Sequence, residues 1–162
     1  MTEVEERKSL NPDKKQILVH YEKSIVWVKN LVNVTEEQWR TPIALGKWSV
    51  AEVIGHLIPW DEFVVSKRIP FLFTEDNLPK SPNVKEMNAH AAHSSRLQSK
   101  EETIEKFVNG RQHLTNALHH LTDEQWQQSL HIGGSKLTLY RYFSGLMDHD
   151  LQHFLQIQKV LK

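Results

Sequence analysis

The sequence predicts an all-α protein, a four-helix bundle, on three observations. Four long segments, several opened by capping patterns, carry apolar residues at the 3.6-residue helical period, and no strand pattern emerges between them. The third observation is a repeat. Leu31–Trp39 reads LVNVTEEQW and Leu118–Trp126 reads LHHLTDEQW, each after a helix and before a glycine-containing loop and a further helix. The 162 residues form one expected domain, with residues 1–11 frayed.

Asn11-Pro12 opens the first helix, whose stripe is Ile17, Tyr21, Ile25, Val28 and Leu31 or Val32. Thr35–Gln38 is a capping-box pattern leading to Trp39, and Thr41-Pro42 and Gly46 then break the chain. A second box, Ser49–Glu52, starts a helix through Val53, Ile54, His56, Leu57, Trp60, Phe63 and Val64, with Pro59 expected to kink it just after His56 or to break it. The three prolines between Pro70 and Pro82 predict a loop. Asn83–Arg96 is a modest helix, and Ser99–Glu102 caps a stronger one through Ile104, Phe107, Val108, Leu114, Leu118 and Leu121, the two permitting a single bent helix. The last helix runs from Leu137 to Leu161. Its expected stripe is Tyr142, Leu146, His149, His153, Ile157 and Val160.

Composition narrows the function classes. Twenty basic residues match twenty acidic ones, so no electrostatic footprint for nucleic acid or an anionic membrane exists. Without cysteine there is no disulfide, thiolate nucleophile or Cys-based zinc site, which fits a reducing cytoplasm. The polar start and the absence of a long apolar run predict a soluble, unexported protein.

Chemistry concentrates in the last helix. His149 and His153 are four residues apart, so their rings stack on one face, a metal-ligand spacing. Aligning the two halves places His56 opposite Gly145 and Trp60 opposite His149, so His56 lies one turn from His149 in depth. His56, His149 and His153 make a three-histidine set between facing helices, where bundles build metal sites. Core histidines hydrogen-bonded to neighbours, or a helix that turns this face to water, are the competing readings. His20, His113 and His131 read as surface or cap residues, Asp61 and Asp150 as orienting or solvent-facing, Gln156 and Asn88 as candidate orienting groups, and the two corner tryptophans as hydrophobic plugs.

With Trp48-Ser49, Glu52-Val-Ile-Gly-His56-Leu57 and His149-Asp-Leu-Gln-His153-Phe-Leu-Gln156-Ile157 in view, the chain resembles the DinB/YfiT superfamily of bacterial four-helix proteins from helix one to Leu161. The resemblance implies an up-down-down-up bundle in which His56, His149 and His153 bind one divalent metal, zinc or nickel. It further implies a metal-dependent hydrolase or thiol S-transferase acting on a small molecule, with a low-molecular-weight thiol as a candidate cosubstrate, and a homodimer. Three neutral imidazoles leave a coordination position open, the pattern of catalytic zinc. A non-catalytic metal- or ligand-binding stress protein is the alternative. A zincin-like reading of His149-Asp150-x-x-His153 lacks the glutamate and the substrate-binding sheet.

Overall fold

The computed structural model describes residues 11–74, 78–132 and 134–162. Of the frayed start expected over residues 1–11, only Asn11 lies among them, and residues 75–77 of the Pro70–Pro82 loop also lie outside.

Each predicted cap closes a helix. Asn11 Oδ1 accepts the backbone N–H groups of Asp13 and Lys14 to start α1, Pro12–Asn30. Thr35 and Gln38 form a reciprocal box at α2, Glu36–Trp39, as do Ser49 and Glu52 at α3, Val50–Lys67. Helix α3 runs unbroken through Pro59. Asn83 caps α4, Val84–Leu97, and Ser99 caps α5, Lys100–His119. The stretch 83–119 is therefore two helices, because Ser99 takes the Glu102 N–H and restarts the chain. Thr122 and Gln125 box α6, Asp123–Gln127, and α7 spans Leu139–Val160.

One element departs from the expectation of no strands. Ser129–Ile132 (β1) pairs antiparallel with Ser135–Thr138 (β2). Leu130 and Ile132 point into the core and Ser129 and His131 outward, while Gly134 turns the hairpin at φ +83°. Alternation over four residues is too short to stand out from the helical pattern. Thr138 ends the hairpin as the N-cap of α7, so that helix begins at Leu139 rather than Leu137.

Side-chain pairings fix the topology of α1, α3, α5 and α7. Lys14, at the start of α1, donates to the carbonyl of His119 at the end of α5 and to that of Leu121 just beyond it, while Lys100 at the start of α5 donates to Val34 O beyond the end of α1. These two helices are antiparallel. Tyr140 meets Gln16 near the starts of α7 and α1, and Trp27 meets Phe154 near their ends, so this pair is parallel. Asp61 of α3 binds Arg111 of α5, and both helices pack their earlier residues, Ile54 and Phe107, into one core cluster. The order is up-down-down-up. Val34 and Leu121 occupy the same place in the two copies of the repeat, and each carbonyl receives a lysine from the other half.

The core has two lobes. One gathers Val28, Trp39, Ile54 and Phe107; the other gathers Ile17, Tyr21, Leu114, Trp126 and Phe143. The corner tryptophans Trp39 and Trp126 are 0% and 2% exposed, one in each lobe, and act as the expected plugs. Helix α4 lies on α3 where Gly55 faces Ser95; Arg40 holds it by donating to the carbonyls of Ser95 and Gln98 at its last turn. No described helix is long and apolar enough to cross a membrane.

Candidate metal centre

Helix α3 delivers His56 and helix α7 delivers His149 and His153 to one point. One potential ligand atom from each lies within 4.8 Å of the others. His149 Nε2 and His153 Nε2 are 3.2 Å apart, and the His56 ring centroid is 5.8 Å from that of His149 and 4.8 Å from that of His153. Two nitrogens bound to one tetrahedral zinc ion at about 2.0–2.1 Å stand about 3.3 Å apart, so the α7 pair already has the spacing of a shared ion.

Two of the three histidines have their other ring nitrogen committed elsewhere. His56 Nδ1–H donates to the carbonyl of Val53, and His153 Nδ1–H donates to Gln156 Oε1 at 3.0 Å. Each bond fixes the tautomer and leaves Nε2 with its lone pair facing the cluster. Gln156 thus orients a histidine, as one sequence reading allowed. Burial lowers the His56 pKa to about 4, helped by the neighbouring His153 and His149 and opposed by the Val53 carbonyl and Asp150. Burial first, and then His149, also lowers that of His153. Both rings are therefore neutral, with lone pairs ready for a cation, at neutral pH. Trp48 lies against His56 with centroids 4.8 Å apart.

The burial pattern of α7 differs from the expected stripe. His56 is buried, but His153 is half-buried and His149 exposed. The buried residues are Leu139, Phe143, Asp150, Phe154 and Ile157. Asp150 takes the inward position because Arg111 draws it there: Arg111 Nη1 donates to Asp150 Oδ2 at 2.6 Å, and Nε and Nη2 donate to Asp61 at 2.8 and 3.0 Å. His20 is not a surface residue; it is 9% exposed and meets Asp150 Oδ2 at 2.8 Å. Ser24 Oγ accepts from Arg111 as well. Sequence reasoning missed Arg111, although it sits in register between Phe107 and Leu114 on the apolar stripe of α5, where a guanidinium demands partners.

A cavity of about 480 Å³ opens from the histidines, bounded by His56 and His149 at one end and Arg68 and Ser81 at the other, with Leu57, Trp60, Phe63, Val64 and Leu146 along its walls. Asn88, a candidate orienting group in the sequence, accepts from Trp60 Nε1 at 2.7 Å and sets that wall. A second cavity, about 490 Å³, borders His153 and Gln156 on the other side, between Trp48, Lys47 and Lys159.

An up-down-down-up bundle with three imidazoles converging beside a cavity defines a class of helical protein whose donor set suits a divalent metal. The chain belongs to the DinB superfamily, which it matches over residues 22–157. Its fold is that of YfiT from Bacillus subtilis, described as a probable metal-dependent hydrolase with an unusual four-helix bundle topology. The two superpose with a TM-score of 0.76 at 20% identity, covering 94% of this chain and 88% of YfiT. No curated protein matches the sequence.

Proposed function

We propose that the protein is a metal-dependent enzyme in which His56, His149 and His153 hold one divalent ion, zinc or nickel, through their Nε2 atoms, and that it acts on a small molecule as a hydrolase or as a transferase of an external thiol. The observation that carries this reading is the convergence of the three rings, two of them with Nδ1 already bonded, at the end of an open cavity. An ion held by three neutral ligands supplies Lewis acidity and draws the pKa of a water or thiol towards neutrality.

The chain's own residues do the remaining work. The Val53 carbonyl and Gln156 hold two imidazoles in the ligating tautomer. Leu57, Trp60 and Val64 line the cavity wall beside the site and limit water there. A chain without cysteine makes any thiol a cosubstrate.

The test is metal content by mass spectrometry on untagged protein, wild type beside His56→Ala. About one divalent ion per chain, lost in the variant, is the expected result. Ester, amide and thiol–electrophile panels then separate hydrolysis from transfer. Absence of metal after reconstitution with zinc and nickel would return the three rings to a purely structural role, and stoichiometric metal without turnover would leave a binding protein.

A further inference from the structure

At the end of the cavity remote from the histidines lies a buried charge with no counter-charge among the described residues. Arg68, the residue that closes α3, is 7% exposed. Its guanidinium lies 4.5 Å from the centre of the Phe63 ring, so the side chain reaches back along α3. Nη1 donates to the carbonyls of Pro79 at 2.6 Å and Lys67 at 3.3 Å, and Nη2 donates to Ser81 Oγ at 2.8 Å.

These contacts satisfy three of the five N–H donors of a guanidinium. They do not neutralise it, since carbonyl and hydroxyl dipoles carry no net charge. Arg111, the other buried guanidinium, has Asp61 and Asp150. Among the described residues no carboxylate pairs with Arg68. A buried cation with spare donors, lining a cavity, is matched by an anion.

The spacing defines the ligand further. His56 and Phe63 stand two turns apart on α3, about 10 Å, and between them α3 lines the cavity with Leu57, Trp60 and Asp61, whose carboxylate is engaged by Arg111. Tyr142 lines the cavity near Arg68; burial raises its pKa against the opposing pull of Arg68, which keeps a neutral phenol there.

We propose that Arg68 is the anion-recognising end of the cavity, so that the substrate is a small molecule with a carboxylate at one end, an apolar stem about two helical turns long, and its reacting group at the histidines. This rests on the proposed metal centre for the reacting end only; recognition of the carboxylate needs no metal.

The test uses two pairs of probes. Zinc-loaded protein is titrated with the monohydroxamate of suberic acid and with octanohydroxamate, which differ only in carrying a carboxylate or a methyl at the far end. The carboxylate is expected to bind roughly tenfold to a hundredfold tighter. Arg68→Gln should abolish that preference while leaving octanohydroxamate affinity unchanged, which also reports that the variant is folded, and Arg68→Lys should retain part of it. Metal-free protein is titrated with octanoate and 1-octanol and should show an Arg68-dependent preference of the same sense.

Equal affinities within both pairs for the wild type would overturn the proposal. So would a preference that emerges only in the Glu75→Gln/Asp76→Asn variant, because a carboxylate of the chain itself would then be the counter-charge. Hydroxamates that bind equally well to His56→Ala would defeat the metal reading alone, with the octanoate comparison still deciding the role of Arg68.

Discussion

Asp61 and Asp150, which fall at equivalent positions in the two halves of the sequence, grip one guanidinium from two different helices, Asp61 with two oxygens on Arg111 Nε and Nη2 and Asp150 chiefly through Oδ2 on Nη1. All three side chains are buried, and His20 closes the far side of Asp150. Burial tends to raise the Asp150 pKa, but Arg111 and His20 outweigh it and the net direction is down; for Asp61 burial wins over Arg111 and the direction is up.

Removing the guanidinium strands two carboxylates in the core. Arg111→Met is expected to cost about 3–5 kcal/mol in urea unfolding, the range for breaking a buried ion pair. Adding Asp61→Asn to that variant should recover part of the loss, and a loss below about 1 kcal/mol would show that the aspartates find water instead.

Stability of the metal-free protein should depend on pH through His56. Its folded pKa, about 4, lies below the ordinary value of 6.5, so between those limits the unfolded chain binds the proton more readily. The contribution is complete above pH 6.5 and is lost as pH falls towards 4, amounting to about 3 kcal/mol at 1.36 kcal/mol per unit. Urea midpoints measured from pH 4 to 7 should climb in the wild type, and the His56→Phe variant should lose most of that slope.

Gln156 is exposed and touches His153 only through Oε1 on Nδ1. Gln156→Ala should leave stability within about 0.5 kcal/mol of wild type yet weaken zinc binding roughly tenfold to a hundredfold in chelator competition, as is usual for a partner that fixes a ligand ring. Unchanged affinity would mean that packing alone orients His153.

Gly55 precedes His56 and has no space for a side chain, since a Cβ there would stand 2.7 Å from Ser95 Cβ. Gly55→Ala should therefore push α4 off α3 at a cost of about 1–3 kcal/mol. Gly55→Ala/Ser95→Gly should restore the packing, with thermal unfolding as the measurement.

The three histidines were legible because their signal is local: an i, i+4 pair, and a repeat that aligns α3 with α7. The bundle was legible because its stripes follow the helical period and its caps are written in side chains that bond their own backbone. The rotation of α7 was not. Tyr142, Leu146, His149 and His153 make as regular a stripe as the buried one, and the choice between them depends on Arg111 and His20, which belong to helices far away in the chain. A periodicity cannot report a long-range ion pair, and for the same reason His20 read as a surface residue. Arg68 was hidden differently: only the folded cavity shows that it ends facing the histidines.

The two halves of the chain carry a nearly symmetric frame, with paired corners, paired lysine clasps and paired aspartates, yet they have divided the labour. Aligned on Asp61 and Asp150, His149 and His153 of the second half stand opposite Trp60 and Val64 of the first, while His56 stands opposite Gly145. Trp60 and Val64 are walls of the cavity. Where the second half has His149 and His153 the first has cavity wall, and Ser24, which stands opposite Arg111 when Leu31–Trp39 is aligned on Leu118–Trp126, answers its guanidinium with a hydroxyl. A symmetric bundle would have two identical half-sites; this one has a single asymmetric cluster of imidazoles beside a walled cavity. Substitution of Trp60 or Val64 within such a frame reshapes the cavity wall while leaving the three histidines in place.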